Sequence, residues 1–103
     1  MNQRPIPEAA LRDENAVEML RVWIAEQRLH CSMKVGMYRE TTQVAEEDAW
    51  GTILADVAVH LANAIERQYQ VPAAQTLVGL REAFLREIDK PSGNAQGEFV
   101  DRH

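Results

Sequence analysis

The stretch from Val44 to Tyr69, VAEEDAWGTILADVAVHLANAIERQY, has the apolar spacing of a helix that is buried over most of its circumference. Apolar residues recur at steps of three and four and form one stripe: Trp50, Ile53, Leu54, Val57, Leu61, Ala64 and Ile65. A row of small residues lies on one side of that stripe: Gly51, Ala55, Ala58 and Ala62. We therefore predict one long helix over about residues 43–69, packed against neighbours on two sides.

Upstream of this helix, apolar residues alternate with a period of two, which indicates two β-strands at about residues 18–26 and 29–36. The apolar positions share one face when each pairs with its counterpart on the other strand: Leu20 with Met33, Val22 with Cys31, and Ile24 with Leu29. A helix over residues 15–27 is the alternative, since Val17, Leu20 and Ile24 also have helical spacing.

This pairing requires a hairpin loop with an even number of residues. A two-residue loop would be Glu26-Gln27, which lacks the Gly or Asn that primed turns prefer. We therefore expect the four-residue loop from Ala25 to Arg28, built around a type I turn.

Prolines mark the remaining elements. Pro72 and the Pro91-Ser92-Gly93 run bound a second helix over about residues 72–90, with an apolar seam of Leu77, Leu80, Phe84 and Ile88. For residues 1–15 we predict an extended arm, in which Glu8 to Glu14 could form one helical turn. For residues 91–103 we predict a flexible tail. Thr41 and Thr42 are the expected N-caps of the long helix.

These elements predict an α+β fold, with a single domain over residues 1–90 in which the two helices pack on the apolar face of the hairpin. A two-stranded sheet is marginally stable by itself and leaves open edges. The third strand could come from Glu98–Val100 or from a second subunit. We expect the second subunit: a homodimer that extends the sheet or pairs the small-residue side of the long helix.

Charge and composition narrow the classes of partner. The 103 residues have a formal net charge of −5 and no basic run, which argues against nucleic acid as a partner. The sequence contains no apolar run long enough for a signal peptide or a membrane span. Cys31 is the single cysteine, so an intrachain disulfide is excluded. We expect a soluble cytoplasmic protein without a cofactor.

Two runs carry a resemblance to a known family: AVEMLRVWIAEQRLHCSMKVGMY and, after a polar link, AWGTILADVAVHLANAIE. Over roughly Pro5 to Ile88 the chain resembles a family of small bacterial proteins known only as a domain of unknown function. The resemblance implies a bacterial, cytoplasmic protein, and it brings no activity, cofactor or catalytic residue.

One candidate ligand site lies along the polar edge of the long helix, where steps of four and three align Asp56, His60, Asn63 and Arg67. Asp56 and His60 could form an acid–base pair or hold a metal. A metal site usually needs more ligands, so a polar rim with a local hydrogen bond is the favoured interpretation.

Arg81 lies inside the apolar arc of the second helix. We expect it to reach water over its aliphatic stem or to pair with a carboxylate such as Asp56, and an anionic ligand is the alternative.

A candidate interaction surface lies on the polar face of the hairpin, with Arg21, Trp23, His30 and Lys34. Coverage of Trp23 by the N-terminal arm or by a second subunit is the favoured interpretation of this surface.

The sequence therefore favours a non-enzymatic, self-associating module that binds an unidentified protein partner. A binder of, or an enzyme acting on, a small anionic molecule at Asp56, His60 and Arg81 is the alternative.

Overall fold

The structure, a computed structural model, describes residues 1–90 and 99–101. The elements in chain order are α1 (Glu8–Arg12), β1 (Leu20–Ala25), β2 (Arg28–Met33), α2 (Met37–Thr41), α3 (Glu46–Tyr69), α4 (Ala73–Asp89) and β3 (Phe99–Asp101). A hairpin followed by two main helices confirms the predicted α+β class. The chain divides into two units, a sheet unit (residues 1–35 with β3) and a helical unit (α2, α3 and α4), and each is described by itself.

The hairpin has the predicted strand register. Leu20 pairs with Met33, Val22 with Cys31, and Ile24 with Leu29. Because residues 20–25 form β1, the alternative of a helix over residues 15–27 is wrong. The strands are shorter than the predicted 18–26 and 29–36.

The predicted four-residue loop is wrong. Ala25 pairs with Arg28, so the loop is the two-residue alternative, Glu26-Gln27. Both loop residues have positive φ, 52° and 64°, which is the conformation of a type I′ turn. Primed turns match the right-handed twist of the two strands, and here that match prevails over the preference for Gly or Asn.

A third strand completes the sheet from within the chain. β3 pairs with β2 in parallel, with Cys31 opposite Phe99, and the strand order is β1-β2-β3. We expected a second subunit to supply the third strand; that expectation is wrong for this edge of β2, where the C-terminal segment, the other source considered, supplies it. The other predicted tail residues, 91–98 and 102–103, lie outside the described residues.

In the helical unit, α4 packs against α3. Ala62 is fully buried and Ala58 is half-buried, so the small-residue side of α3 admits a close neighbour over its second half. On α4, the side chains with reduced exposure follow a helical stripe: Ala73, Thr76, Leu77, Leu80 and Ala83. The sequence offered the small-residue side to a second subunit, and α4 is the neighbour of α3 that the chain itself supplies.

The link before α3 contains a short helix that the sequence did not predict. Thr41 ends α2 and Thr42 follows it, so neither residue caps α3 and that prediction is wrong. Both hydroxyls donate to carbonyls four residues earlier, those of Met37 and Tyr38. Ala45 occupies the N-cap of α3 without a side-chain cap, and α3 therefore begins three residues later than predicted.

The N-terminal arm contains the single helical turn that the sequence allowed, Glu8–Arg12. None of the described helices is both long enough and apolar enough to cross a membrane. The packing of the helices on the apolar face of the hairpin and the single domain over residues 1–90 stay predictions.

Candidate functional site

The polar face of the hairpin has the side-chain pairs expected from the sequence. Trp23 is directly opposite His30, and Arg21 is opposite Ser32. Lys34 extends the ladder beyond β2, because its backbone N–H donates to Met19 O at 3.0 Å. The ladder therefore places an indole, an imidazole and a guanidinium together on one face of the sheet.

Local hydrogen bonds fix two members of this surface. His30 Nε2 lies 3.1 Å from Ala25 O, and since a carbonyl only accepts, Nε2 carries the proton. Arg21 binds Glu18 through two bonds, Nε to Oε1 at 2.7 Å and Nη2 to Oε2 at 3.0 Å. This hydrogen bond and the charge of the carboxylate raise the pKa of Arg21, so the side chain stays cationic.

A groove lies between β1 and the N-terminal arm. Residues of both faces of β1 line it, from Leu20 to Trp23, together with arm residues that include Asn2–Pro7 and Leu11. Trp23 is half-buried, whereas Ile6 and Leu11 of the arm are 53% and 70% exposed. The arm therefore runs beside Trp23 but leaves its own two large apolar side chains uncovered.

The polar edge of α3 is the other predicted site. Asp56, His60 and Arg81 are all exposed, and none of their side chains takes part in a hydrogen bond or ion pair within the described part of the chain. The predicted hydrogen bond between Asp56 and His60 is absent, and so is an ion pair of Arg81 with Asp56. Arg81 has the other predicted arrangement, in which the side chain reaches solvent. Among the described residues, no group of three or more His, Cys, Asp and Glu side chains could hold a metal ion.

Glu46, which the sequence did not single out as a site residue, accepts three hydrogen bonds within the helical unit. Its Oε2 accepts from Gly36 N at 2.8 Å and from Trp50 Nε1 at 2.9 Å, and its Oε1 accepts from Arg39 N at 2.9 Å. The bond from Gly36 is the largest cause that lowers the pKa of Glu46 below its ordinary value of 4.5, while desolvation opposes the shift. The signal in the sequence was an acid four residues before a tryptophan.

Large apolar side chains remain exposed in both units. On the hairpin, Val22, Ile24 and Leu29 are 49%, 73% and 50% exposed. On α3 and α4, the large apolar residues with at least two-fifths of their surface exposed are Leu54, Val57, Val59, Leu61, Tyr69, Val78, Phe84, Leu85 and Ile88. Apolar surface of this extent is typical of proteins that bury it against another molecule.

The chain belongs to the DUF5076 family, a domain of unknown function, whose match covers residues 3–92. This confirms the family resemblance inferred from the hairpin and the long helix. No curated protein matches the chain.

One solved structure with a similar fold covers almost the whole chain. It is described as the structure of a "putative pyruvate dehydrogenase" from the photosynthetic bacterium Rhodopseudomonas palustrus CGA009. The two chains are 25% identical, the TM-score is 0.64, and the alignment covers 93% of this chain and 92% of the other. The description belongs to that protein, and similarity of fold does not define the function of this one.

Proposed function

We propose that this protein is a small, non-enzymatic module that self-associates and binds a protein partner through its hairpin. The observation that carries the proposal is the combination of an edge strand with half-exposed apolar side chains. β1 lies at one end of the sheet order, and Val22 and Ile24 on it are 49% and 73% exposed. An exposed apolar edge strand pairs readily with another chain, which makes it a natural interface.

The small core supports the same proposal. Among the residues whose side chains the structure describes, the buried apolar ones are Ala49 and Ala62, both small. A chain of this size buries little apolar surface by itself, so association is an effective way to bury more. Each apolar side chain that is covered contributes about 1.5–3 kcal/mol. The exposed stripe of Leu54, Val57 and Leu61 on α3 provides further surface that association would cover.

The alternative function, a binder of or an enzyme for a small anionic molecule at Asp56, His60 and Arg81, has no comparable support. An anion site holds its ligand through charge-assisted hydrogen bonds from groups that converge, and these three side chains are exposed and unconnected.

We also propose that the protein acts in the cytoplasm of a bacterium. Its similarity to a protein from a photosynthetic bacterium supports the bacterial source. The free thiol of Cys31 is compatible with a reducing compartment.

Light scattering coupled to size-exclusion chromatography tests the self-association. We expect a mass of about twice 11.7 kDa that falls on dilution. Ile24→Glu should shift the equilibrium towards monomer, because it places a charge at the most exposed apolar position of β1. Val59→Glu is the control, with similar chemistry on α3. A mass of 11.7 kDa at every concentration would refute self-association.

A further inference from the structure

The hydrogen-bond pattern of the hairpin determines which backbone groups of β1 point away from β2. In an antiparallel pair, alternate residues exchange both of their backbone hydrogen bonds with the opposite residue. Lys34 N donates to Met19 O at 3.0 Å, so Met19 and the other odd-numbered residues of β1 bond to β2. The N–H and C=O groups of Leu20, Val22 and Ile24 therefore point to the free edge of the sheet.

This edge has no backbone partner in the described part of the chain. β1 is the terminal strand of the sheet, and residues 1–7 of the arm form no strand. The backbone hydrogen bonds of the arm are local, for example Ala10 N to Pro7 O and Asp13 N to Ala9 O. A groove lined by both faces of β1 separates the strand from the arm. Unpaired groups along an open groove provide a place for one more strand.

We propose that β1 pairs antiparallel with β1 of a second copy, about a two-fold axis at Val22. The inference rests on the self-association proposed above and names the surface that mediates it. Val22 lies opposite the partner's Val22, Leu20 opposite the partner's Ile24, and Arg21 opposite the partner's Trp23. Each of the three even-numbered residues donates and accepts one backbone hydrogen bond, and the two three-stranded sheets become one.

The side chains of β1 select this register. Edge groups of even-numbered residues must face each other, which places the axis on a residue and not between two. The axes that overlap most of β1 are those at Arg21, Val22 or Trp23. An axis at Arg21 would place the two guanidinium groups opposite each other, which is destabilising. An axis at Trp23 would place Leu20 opposite the partner's Glu26. The axis at Val22 matches apolar residues at each even-numbered position.

The axis at Val22 also forms a cation–π pair twice, once on each side of the two-fold. Arg21 is bound in its own plane by the Glu18 carboxylate, at 2.7 and 3.0 Å, which leaves the flat faces of the guanidinium free to stack. Trp23 is half-buried and offers the indole that such a pair prefers. Arg21 and Trp23, first grouped as a recognition surface, therefore recognise each other across the interface.

Two variants at Val22 separate backbone pairing from side-chain contact. Val22→Pro removes the edge N–H but no bond to β2, because the Val22 N–H points away from β2. Val22→Thr keeps the N–H and the β-branched shape, and is the matched control. We expect Val22→Pro to raise the dimer dissociation constant by about tenfold to a hundredfold, and Val22→Thr by less than about tenfold. Circular dichroism and the intensity of tryptophan fluorescence verify that each variant folds.

A cysteine pair tests the register without weakening the dimer. In a Cys31→Ala background, which removes the thiol opposite residue 22, Val22→Cys should form an intermolecular disulfide on mild oxidation. Ile24→Cys in the same background should not, because residue 24 faces residue 20 of the partner subunit in this register.

The outcomes distinguish the two proposals. Both proposals are supported if the wild-type protein is a dimer, Val22→Pro weakens that dimer, and Val22→Cys cross-links it. This interface is overturned, and self-association still stands, if the wild-type protein is a dimer whose dissociation constant Val22→Pro does not change. The same conclusion follows if Ile24→Cys cross-links as fast as Val22→Cys. Wild-type protein that is monomeric at every concentration overturns both.

Discussion

The indole Nε1 of Trp50 donates a hydrogen bond of 2.9 Å to Oε2 of Glu46, one turn earlier on α3. The same oxygen accepts from the backbone of Gly36, and the other oxygen accepts from that of Arg39. One carboxylate therefore joins the N-terminal end of α2 to the first turn of α3. Its negative charge also suits the positive end of the helix dipole.

Replacement of Glu46 should lower the stability of the helical unit. In Glu46→Gln the amide keeps one acceptor and loses the charge, so the bonds from Gly36, Arg39 and Trp50 cannot all be retained. We expect the melting temperature to fall by more than about 4 °C. Glu47→Gln is the control, because it removes the same charge from an exposed neighbour in the same turn. Equal melting temperatures for the two variants would contradict this role.

The contribution of Glu46 should depend on pH with a defined sign. Its pKa is lowered in the folded protein, mainly by the hydrogen bond from Gly36, so the ionised form stabilises the fold. This stabilisation is complete above the ordinary value of 4.5 and is lost as the pH falls through the lowered pKa of the folded state. The difference in melting temperature between wild type and Glu46→Gln should therefore be constant near neutrality and narrow below pH 4.5. A difference that widens in acid would contradict the assignment.

The contact between α3 and α4 should be sensitive to side-chain volume at Ala62. This residue is fully buried, so Ala62→Leu forces the helices apart and should cost about 1–3 kcal/mol of unfolding free energy. Ala55→Leu is the control, because Ala55 belongs to the same small-residue row but is exposed. Urea denaturation of both variants measures the difference.

Two glycines should respond to alanine with opposite signs. Gly79 lies inside α4 and a Cβ there would meet nothing within 4 Å, so Gly79→Ala should stabilise the protein by about 0.5–1 kcal/mol. Gly36 has φ of 101°, a conformation that disfavours side chains, so Gly36→Ala should destabilise it by about 1–2 kcal/mol. Thermal or urea unfolding of the two variants tests the pair.

The hairpin turn offers a further stability test. Gln27 has φ of 64°, which costs a residue with a side chain about 1–2 kcal/mol. Gln27→Gly should therefore stabilise the protein, whereas Gln68→Gly, in the regular helix α3, should destabilise it. The free energy of unfolding in urea provides the comparison, and a loss of stability in Gln27→Gly would contradict the turn type.

The sequence predicted the strand register because both strands have an apolar face, and only one pairing aligns Val22 with Cys31 and Ile24 with Leu29. The loop prediction failed because it relied on local residue preference, while the turn type is imposed by the twist of the strands it joins. The prediction that Thr41 and Thr42 in the link cap α3 was wrong for a similar reason. α2 has five residues, too few to show periodicity, and its N-terminal end is held by Glu46 from outside the segment.

In the candidate sites, too, the positions set by sheet register could be predicted, whereas a side-chain contact along a helix could not. Sheet pairing is fixed by register, so the positions of Trp23 and His30 opposite each other could be predicted. Helical spacing aligned Asp56 and His60, but spacing alone does not set side-chain rotamers, and the expected hydrogen bond did not form.

The position of β3 after both long helices has a consequence for synthesis on the ribosome. β2 lies between β1 and β3, and its second neighbour becomes available only when Phe99 has been translated. The hairpin and the helices have local partners and can form earlier. Until then both outer edges of the nascent hairpin are open, so the growing chain is most prone to pair with its neighbours on a polysome before Phe99 has been made.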